Sequence, residues 1–453
     1  MSACPCEAVF NFCNTIERKK MSVKRKVHIV IFICFFATIL ISGRCWSDNH
    51  ASPGRTGNVI VNFPQVSGAI PITKGPYEHF FASYYGITSW SASQRYATIL
   101  RTDIKFRLPT ENDPATLGLV DMDSHEFIPL TETRAWNFQQ GCMAHWLSDS
   151  LVIYNDLNNG KFVSVIINIF SKNKRFIDYP ISAVSPDSRW AVSINFARLR
   201  HTRPGYGYGG EGQKASMETA FPEDDGLFII DLETGEAELI CSINRVKEMV
   251  PGLPEDGREY FNHTLFSRDG SKIFWLARAI PERNTTSLTI NRDGTELRAC
   301  FPEGWGGSHF DWLNGDELMV TARHLGKQMR HILFTVGSDN YRVLGDGLLD
   351  FDGHGTFSPD EQWMVTHTYP YNPTRENKVF LMHMSTDATI PVGRYYESEE
   401  FNSHWRCDIH PRWSPKGDMI GFNSTHTGSR QAYIYQLKWL NAGSESVDDQ
   451  IAQ

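Results

Sequence analysis

Four histidines hold the same place in four successive segments of this chain. His263, His309, His354 and His410 each stand three residues before an aromatic residue that leads into a Ser-x-Asp-Gly-like turn, as in HTLFSRDG, HFDWLNGD, HGTFSPDE and HPRWSPKG. Imidazole is a common ligand of divalent transition metals, so four of them brought to one point make a metal site, with one or two left to meet substrate. Cys407, three residues before His410 in RCDIH, stands close enough to join as a thiolate. A lone histidine before such a turn more often caps a neighbouring strand. Four in phase ask for a chemical reason.

Cations are the second resource. One long segment, ARLRHTRPGYGYGGEGQKASMETAFPEDD, brings together Arg198, Arg200, Arg203, Tyr206 and Tyr208, and later segments add Arg278 and Arg430. Arginine forks bind carboxylate and sulfate in bidentate fashion, so an anionic ligand is the expected partner. Solvated loops that happen to be basic are the plainer reading. The whole chain carries a net charge of −8, which argues against general nucleic-acid binding,. His145, in QQGCMAHWL, is open to two readings, a satisfied core histidine or a catalytic one.

These residues share a face only if the elements that carry them repeat. The aromatic–turn signal recurs seven times, around Trp90, Trp146, Val184, Phe266, Trp312, Phe357 and Trp413, at spacings near 40 to 56 residues, with one longer gap explained by an insertion. A second strand–turn–strand unit, such as LFIIDLETGEAELI or VFLMHMSTDATIPV, follows each of the first six. Four short strands per repeat, seven times over, predict an all-β fold, a seven-bladed β-propeller spanning residues 57–440. The seventh repeat has only half of its second unit. Its outer strand is expected from GNVIVNF, Gly57 to Phe63, so that an N-terminal strand closes the last blade and removes an open edge,. The residue three before the aromatic then opens the innermost strand of each blade: Ile87, Met143, Ile181 and the four histidines.

The first 47 residues read as a leader. Lys24, Arg25 and Lys26 precede a short apolar run, Val27 to Ser42, which suggests a signal peptide over 21–47 with translation starting at Met21,. The run is short for a membrane span, so the expectation is an exported, periplasmic or secreted monomer with no stable span in its mature form. Residues 441–453 read as a disordered tail. Cys142, Cys241, Cys300 and Cys407 are isolated in the body, which is no disulfide scaffold,.

The phrases NFQQGCMAHWL, RPGYGY, SHFDW, DGHGTFSPD and RCDIHPRWSPKGDMIGFNSTHTGSRQAYIYQL resemble the propeller polysaccharide lyases, the group of oligogalacturonate lyases and propeller-type ulvan lyases. The turns alone are shared with TolB-like propellers. The resemblance implies β-elimination on a uronate-containing oligo- or polysaccharide, assisted by a divalent metal at the channel mouth. His354 and His410 look like its ligands. Cys407 stands where the oligogalacturonate lyases have glutamine; among zinc, manganese and calcium it favours zinc. His263 joins them as a further expected ligand. His309 is similar to a catalytic or ligand histidine, and the Tyr–Arg pair of the ulvan lyases is expected among Tyr206, Tyr208, Arg200 and Arg203. His145, Arg203, Tyr206, Tyr208 and His309 form the expected catalytic set, and Arg198, Arg200, Arg278 and Arg430 the expected substrate contacts. The alternative is a non-catalytic TolB-like binding or assembly propeller, which predicts neither metal dependence nor turnover.

Overall fold

The computed structural model describes residues 61–210, 219–250, 258–280 and 285–439. The leader, residues 57–60 of the expected closing strand and the tail lie outside them. The described chain forms seven antiparallel sheets in sequence order: 78–133, 145–177, 183–242, 258–299, 305–344, 356–396, and a last one in which 412–438 pairs with the N-terminal segment. This is the seven-bladed propeller. Strand faces alternate, so each blade buries its apolar residues against the next; Trp90, Trp275, Trp312 and Tyr435 are among the largest side chains fully withdrawn from solvent,.

Closure is N-terminal, as expected, and among the described residues the ladder begins at Gln65, after the expected Gly57 to Phe63 segment. Gln65 and Val66 pair with Lys438 and Leu437, and Ile70 and Pro71 with Ile434 and Tyr433. Val61 and Phe63 instead pack against the apolar core between the sixth and seventh blades. Their alternation reflects packing rather than pairing, and Pro71, which has no N–H to give, sits on an edge where none is needed.

Two departures from regular strands build the centre of the molecule. In blade one the inner strand Glu78–Phe81 stops and resumes only as a bridge from Trp90 to Ala97. The segment between carries Tyr84 and Tyr85 to the axis, where their rings meet histidines from blades four to seven. Arg412 holds this excursion: one guanidinium nitrogen donates to the carbonyls of Ser83 and Tyr84 and to the hydroxyls of Ser83 and Ser89, all within 3.3 Å, while the group lies 4.6 Å above the Phe81 ring. Burial lowers its pKa to about 9. Arg412→Leu strands those acceptors without donors and is expected to cost about 3 kcal/mol, read as a lower denaturation midpoint at unchanged m-value. A loss under about 0.5 kcal/mol, the ordinary surface range, would remove the clamp from this account.

The second departure is at the mouth position itself. Met143, His263, His309 and His410 all adopt positive φ, between 47° and 65°. The pairing registers slip there in blades four and five, between Asn262 and Leu265 and between Ser308 and Phe310. These are bulges, which turn a side chain away from its alternating direction. The two blades with β-branched isoleucine at that place, Ile87 and Ile181, do not use the left-handed conformation, in keeping with its steric cost,.

Candidate metal and proton-transfer site

His354, Asp408 and His410 converge so that one ligand atom of each lies within 4.8 Å of the other two, and all three are buried. The Nε2 atoms of His354 and His410 have no hydrogen-bond partner. Buried polar nitrogens are rarely left so, and two facing one carboxylate fit a divalent cation.

The tautomer of His354 follows from a chain of hydrogen bonds. His367 Nδ1 faces the carbonyl of Thr368 at 2.9 Å. A carbonyl only accepts, so that nitrogen carries the proton. Burial lowers the His367 pKa to about 4, so the ring is neutral and its Nε2 is a bare acceptor,. His354 Nδ1, 2.9 Å from that Nε2, must then be the donor, which leaves the lone pair of His354 on the orphaned Nε2. Gly353 makes the approach feasible, since a Cβ there would lie 1.8 Å from the His367 carbonyl oxygen. His367 therefore orients His354 from behind. His367→Leu is expected to weaken metal affinity about 10–100-fold with the fold intact, measured by competition with a chelator; unchanged affinity would discard the relay.

Cys407 lies outside the cluster, a correction to the sequence expectation. Asp408 and His410 are two apart and face the axis, whereas Ile409 between them packs into the core of blade seven. By the same alternation Cys407 points away with Ile409. Burial pushes its thiol pKa far up, so it remains a thiol. Without sulfur the preference for zinc goes, and an imidazole–carboxylate set suits manganese as well as zinc; calcium, which wants six to eight oxygens, fits poorly. His263 is also outside the cluster. The Tyr84 ring separates it from His410, stacking on His263 at 5.1 Å and meeting His410 edge-on at 5.1 Å.

Tyr206 stands toward the Asp408 end. Arg406 bridges the two: its Nε lies 3.0 Å from both carboxylate oxygens of Asp408, and its Nη2 donates to the Tyr206 hydroxyl at 3.0 Å. Arg203 covers the Tyr206 ring at 4.4 Å. Burial alone would raise the phenol pKa, but the charges of Arg406 and Arg203 outweigh it and leave Tyr206 below the ordinary tyrosine value. Toward the His354 end the order is reversed. Tyr369 places its hydroxyl 3.1 Å from His309 Nε2, and His309 Nδ1 lies 2.9 Å from Asp352. Burial raises the Asp352 pKa, yet the His309 charge and hydrogen bond bring it below the usual carboxylate value. Tyr369 is buried, and desolvation drives its phenol well above 10.

Arg203, Tyr206, His309, His354 and His410 thus gather as the sequence suggested. Several others do not. Arg198 donates to the carbonyls of Glu259, Thr219 and Ala220; Arg200 to those of Pro204 and Pro109; Arg430 to those of Trp405 and Arg406, with its plane 4.7 Å from Phe138. Irregular loops leave carbonyls unpaired, and a guanidinium with five donors satisfies several at once. Arg278 is a buried strand residue opposite Tyr260 in blade four. Tyr208 is a core residue, stacked on Phe196 at 4.4 Å with its hydroxyl held by Asn155. His145 donates its Nδ1 proton to the Met143 carbonyl within blade two, the core reading of that histidine. The sequence reading missed Asp408, Arg406, His367, Tyr369 and the Tyr84–Tyr85 excursion. An i, i+2 count through RCDIH would have found Asp408.

No family model matches the sequence, and no curated protein matches it. Among solved structures, an oligogalacturonate lyase from Vibrio parahaemolyticus superposes with a TM-score of 0.59 at 12% identity, covering 83% of this chain and 98% of that one. An oligogalacturonate lyase in complex with manganese superposes with 0.58 at 14% identity, again over 83% and 98%. TolB from Acinetobacter baumannii covers 77% of this chain and 82% of its own at 13% identity, with a TM-score of 0.39. At these identities, the two likenesses above 0.5 establish the propeller fold of this chain.

Proposed function

We propose that the protein is an exported lyase that cleaves a uronate-containing oligo- or polysaccharide by metal-assisted β-elimination. The observation that carries the reading is the His354–Asp408–His410 cluster with one tyrosine toward each end: Tyr206, bonded to Arg406 and beneath Arg203, and Tyr369, bonded to His309 and beside His354, with burial and charge driving their acidities in opposite directions. Groups whose surroundings drive their pKa values apart mark base and acid.

A divalent ion held by His354, His410 and Asp408 would supply Lewis acidity, drawing charge from a bound carboxylate and so acidifying the adjacent carbon 5. Arg406 and Arg203 add positive charge on the Tyr206 side, where enolate-like charge develops. Tyr206, once its hydroxyl has lost its proton, takes the carbon 5 proton. The carbon 4–carbon 5 double bond forms as the carbon 4–oxygen bond breaks, and Tyr369 gives its proton to the departing oxygen. Solvent then removes the proton from Tyr206 and reloads Tyr369, while His309, anchored by Asp352, holds the Tyr369 hydroxyl in place. The two solved structures of like fold are, by their printed names, oligogalacturonate lyases, one of them in complex with manganese.

The test is ultraviolet absorbance of the 4,5-unsaturated uronate, with the protein offered polygalacturonate, oligogalacturonides and ulvan, with and without chelator. A chelator-sensitive rise on one of them identifies the glycan. No rise on any, from protein that carries no metal, gives the binding-module reading instead.

A further inference from the structure

One aromatic ring at the rim of this site faces solvent. Tyr371 is 82% exposed and lies between the strands Trp363–His367 and Glu376–His383 of blade six. Its ring is parallel to that of Tyr369, with centroids 5.2 Å apart and planes 12° from each other. Tyr369 is in turn buried, 5.8 Å by centroids from His354, with its hydroxyl on His309.

The loop that presents it is firmly built. Pro370 and Pro373 fix the backbone on either side of Tyr371 and Asn372,. Asn372 donates to the Glu376 carbonyl at 2.7 Å and accepts from the Glu376 N–H and the Thr374 hydroxyl. A single exposed aromatic is ordinary on a protein surface. This one has its inner face covered by a partner ring, its outer face bare and its orientation set, one ring removed from the proposed acid.

We propose that the outer face of Tyr371 is a stacking platform for the pyranose ring of a sugar adjoining the one that reacts, a subsite that selects oligosaccharide over monosaccharide. The inference rests on the lyase reading and deepens it. A pyranose is polar at its rim, but its ring faces carry C–H bonds with slight positive charge. Such a face meets the negative face of an aromatic ring, releases water from both, and loses little entropy because the tyrosine is already immobile. The carboxylate of the reacting sugar and the flat face of its neighbour are then read by different parts of the mouth: the first by the metal cluster and Arg406, the second by Tyr371.

The experiment uses the full metal-loaded protein, its Tyr371→Ala and Tyr371→Trp variants, and galacturonate, tetragalacturonate and ulvan oligosaccharides as probes. The readout is Kd by calorimetry, or KM where a probe is cleaved. Tyr371→Ala is expected to weaken the oligosaccharide that wild type binds by about tenfold, to leave any monosaccharide affinity within twofold, and to be rescued by Tyr371→Trp. Tyr371 is exposed, so the variants should melt at the wild-type temperature, which separates lost binding from lost folding. If wild type binds an oligosaccharide and Tyr371→Ala binds it equally, or if Tyr371→Trp fails to rescue, the platform is wrong and the lyase reading stands. If wild type binds none of the probes, the lyase reading falls and the platform falls with it.

Discussion

Tyr206→Phe is expected to lower kcat on the cleaved glycan by about 10²- to 10⁴-fold, the usual share of a positioned acid–base group, with little change in KM. Only the hydroxyl is removed; the ring still fills its place against His263 and beneath Arg203. The companion variant is Arg406→Ala, which takes away the nearest positive charge on the phenol. Its removal lets burial dominate, so the Tyr206 pKa rises. Because the base works as phenolate, the rising limb of the kcat/KM–pH profile should then move to higher pH, and activity lost at neutral pH should be partly regained in alkali. Tyr369→Phe should also lower kcat, since the departing oxygen loses its donor, but should leave that rising limb where it is. A Tyr206→Phe variant with undiminished kcat would put the base elsewhere, with His309 next in line.

How much of this could be read in advance depends on what carries each feature. The propeller was legible because a four-strand unit reused seven times leaves its turns and aromatics in register along the chain. The histidines were legible for the same reason: one structural position, four blades in phase. What escaped the reading depends on local backbone that has no repeat. Segment 406–410 runs between strands, and odd or even spacing within it decides that Asp408 and His410 face the axis while Cys407 does not. The break after Phe81, which sends Tyr84 and Tyr85 into the centre, is longer than the one-position bulges that interrupt the inner strands of blades four and five, so the repeat does not predict it. Arginine was the least legible type of all. Arg198 and Arg200, in the short helix Phe196–Thr202, and Arg430, in a loop, are of the same residue type as Arg203 and Arg406, and only the carbonyls around them show that they brace the chain while the other two charge the mouth.

The metal cluster yields the other large effect, and it separates the structural ligand set from the one the sequence suggested. Asp408→Asn preserves shape and removes the charge, while His410→Ala removes a ligand nitrogen. Each is expected to reduce bound metal to below about a tenth per chain by elemental analysis and to lower kcat by about 10³-fold, as exhaustive chelation of wild type should, since several kcal/mol of charge stabilisation goes with the ion. Cys407→Ala should retain the metal, because the sulfur lies on the side of the segment that packs with Ile409. Asp408 has a second task, accepting from Arg406, so its loss also frees the guanidinium beside Tyr206. The two effects part on re-addition of metal: excess ion should restore chelated wild type fully and Asp408→Asn only in part, because the displaced Arg406 is not corrected by filling the site. Loss of metal from Cys407→Ala with retention in Asp408→Asn would reverse the assignment and restore the thiolate as ligand.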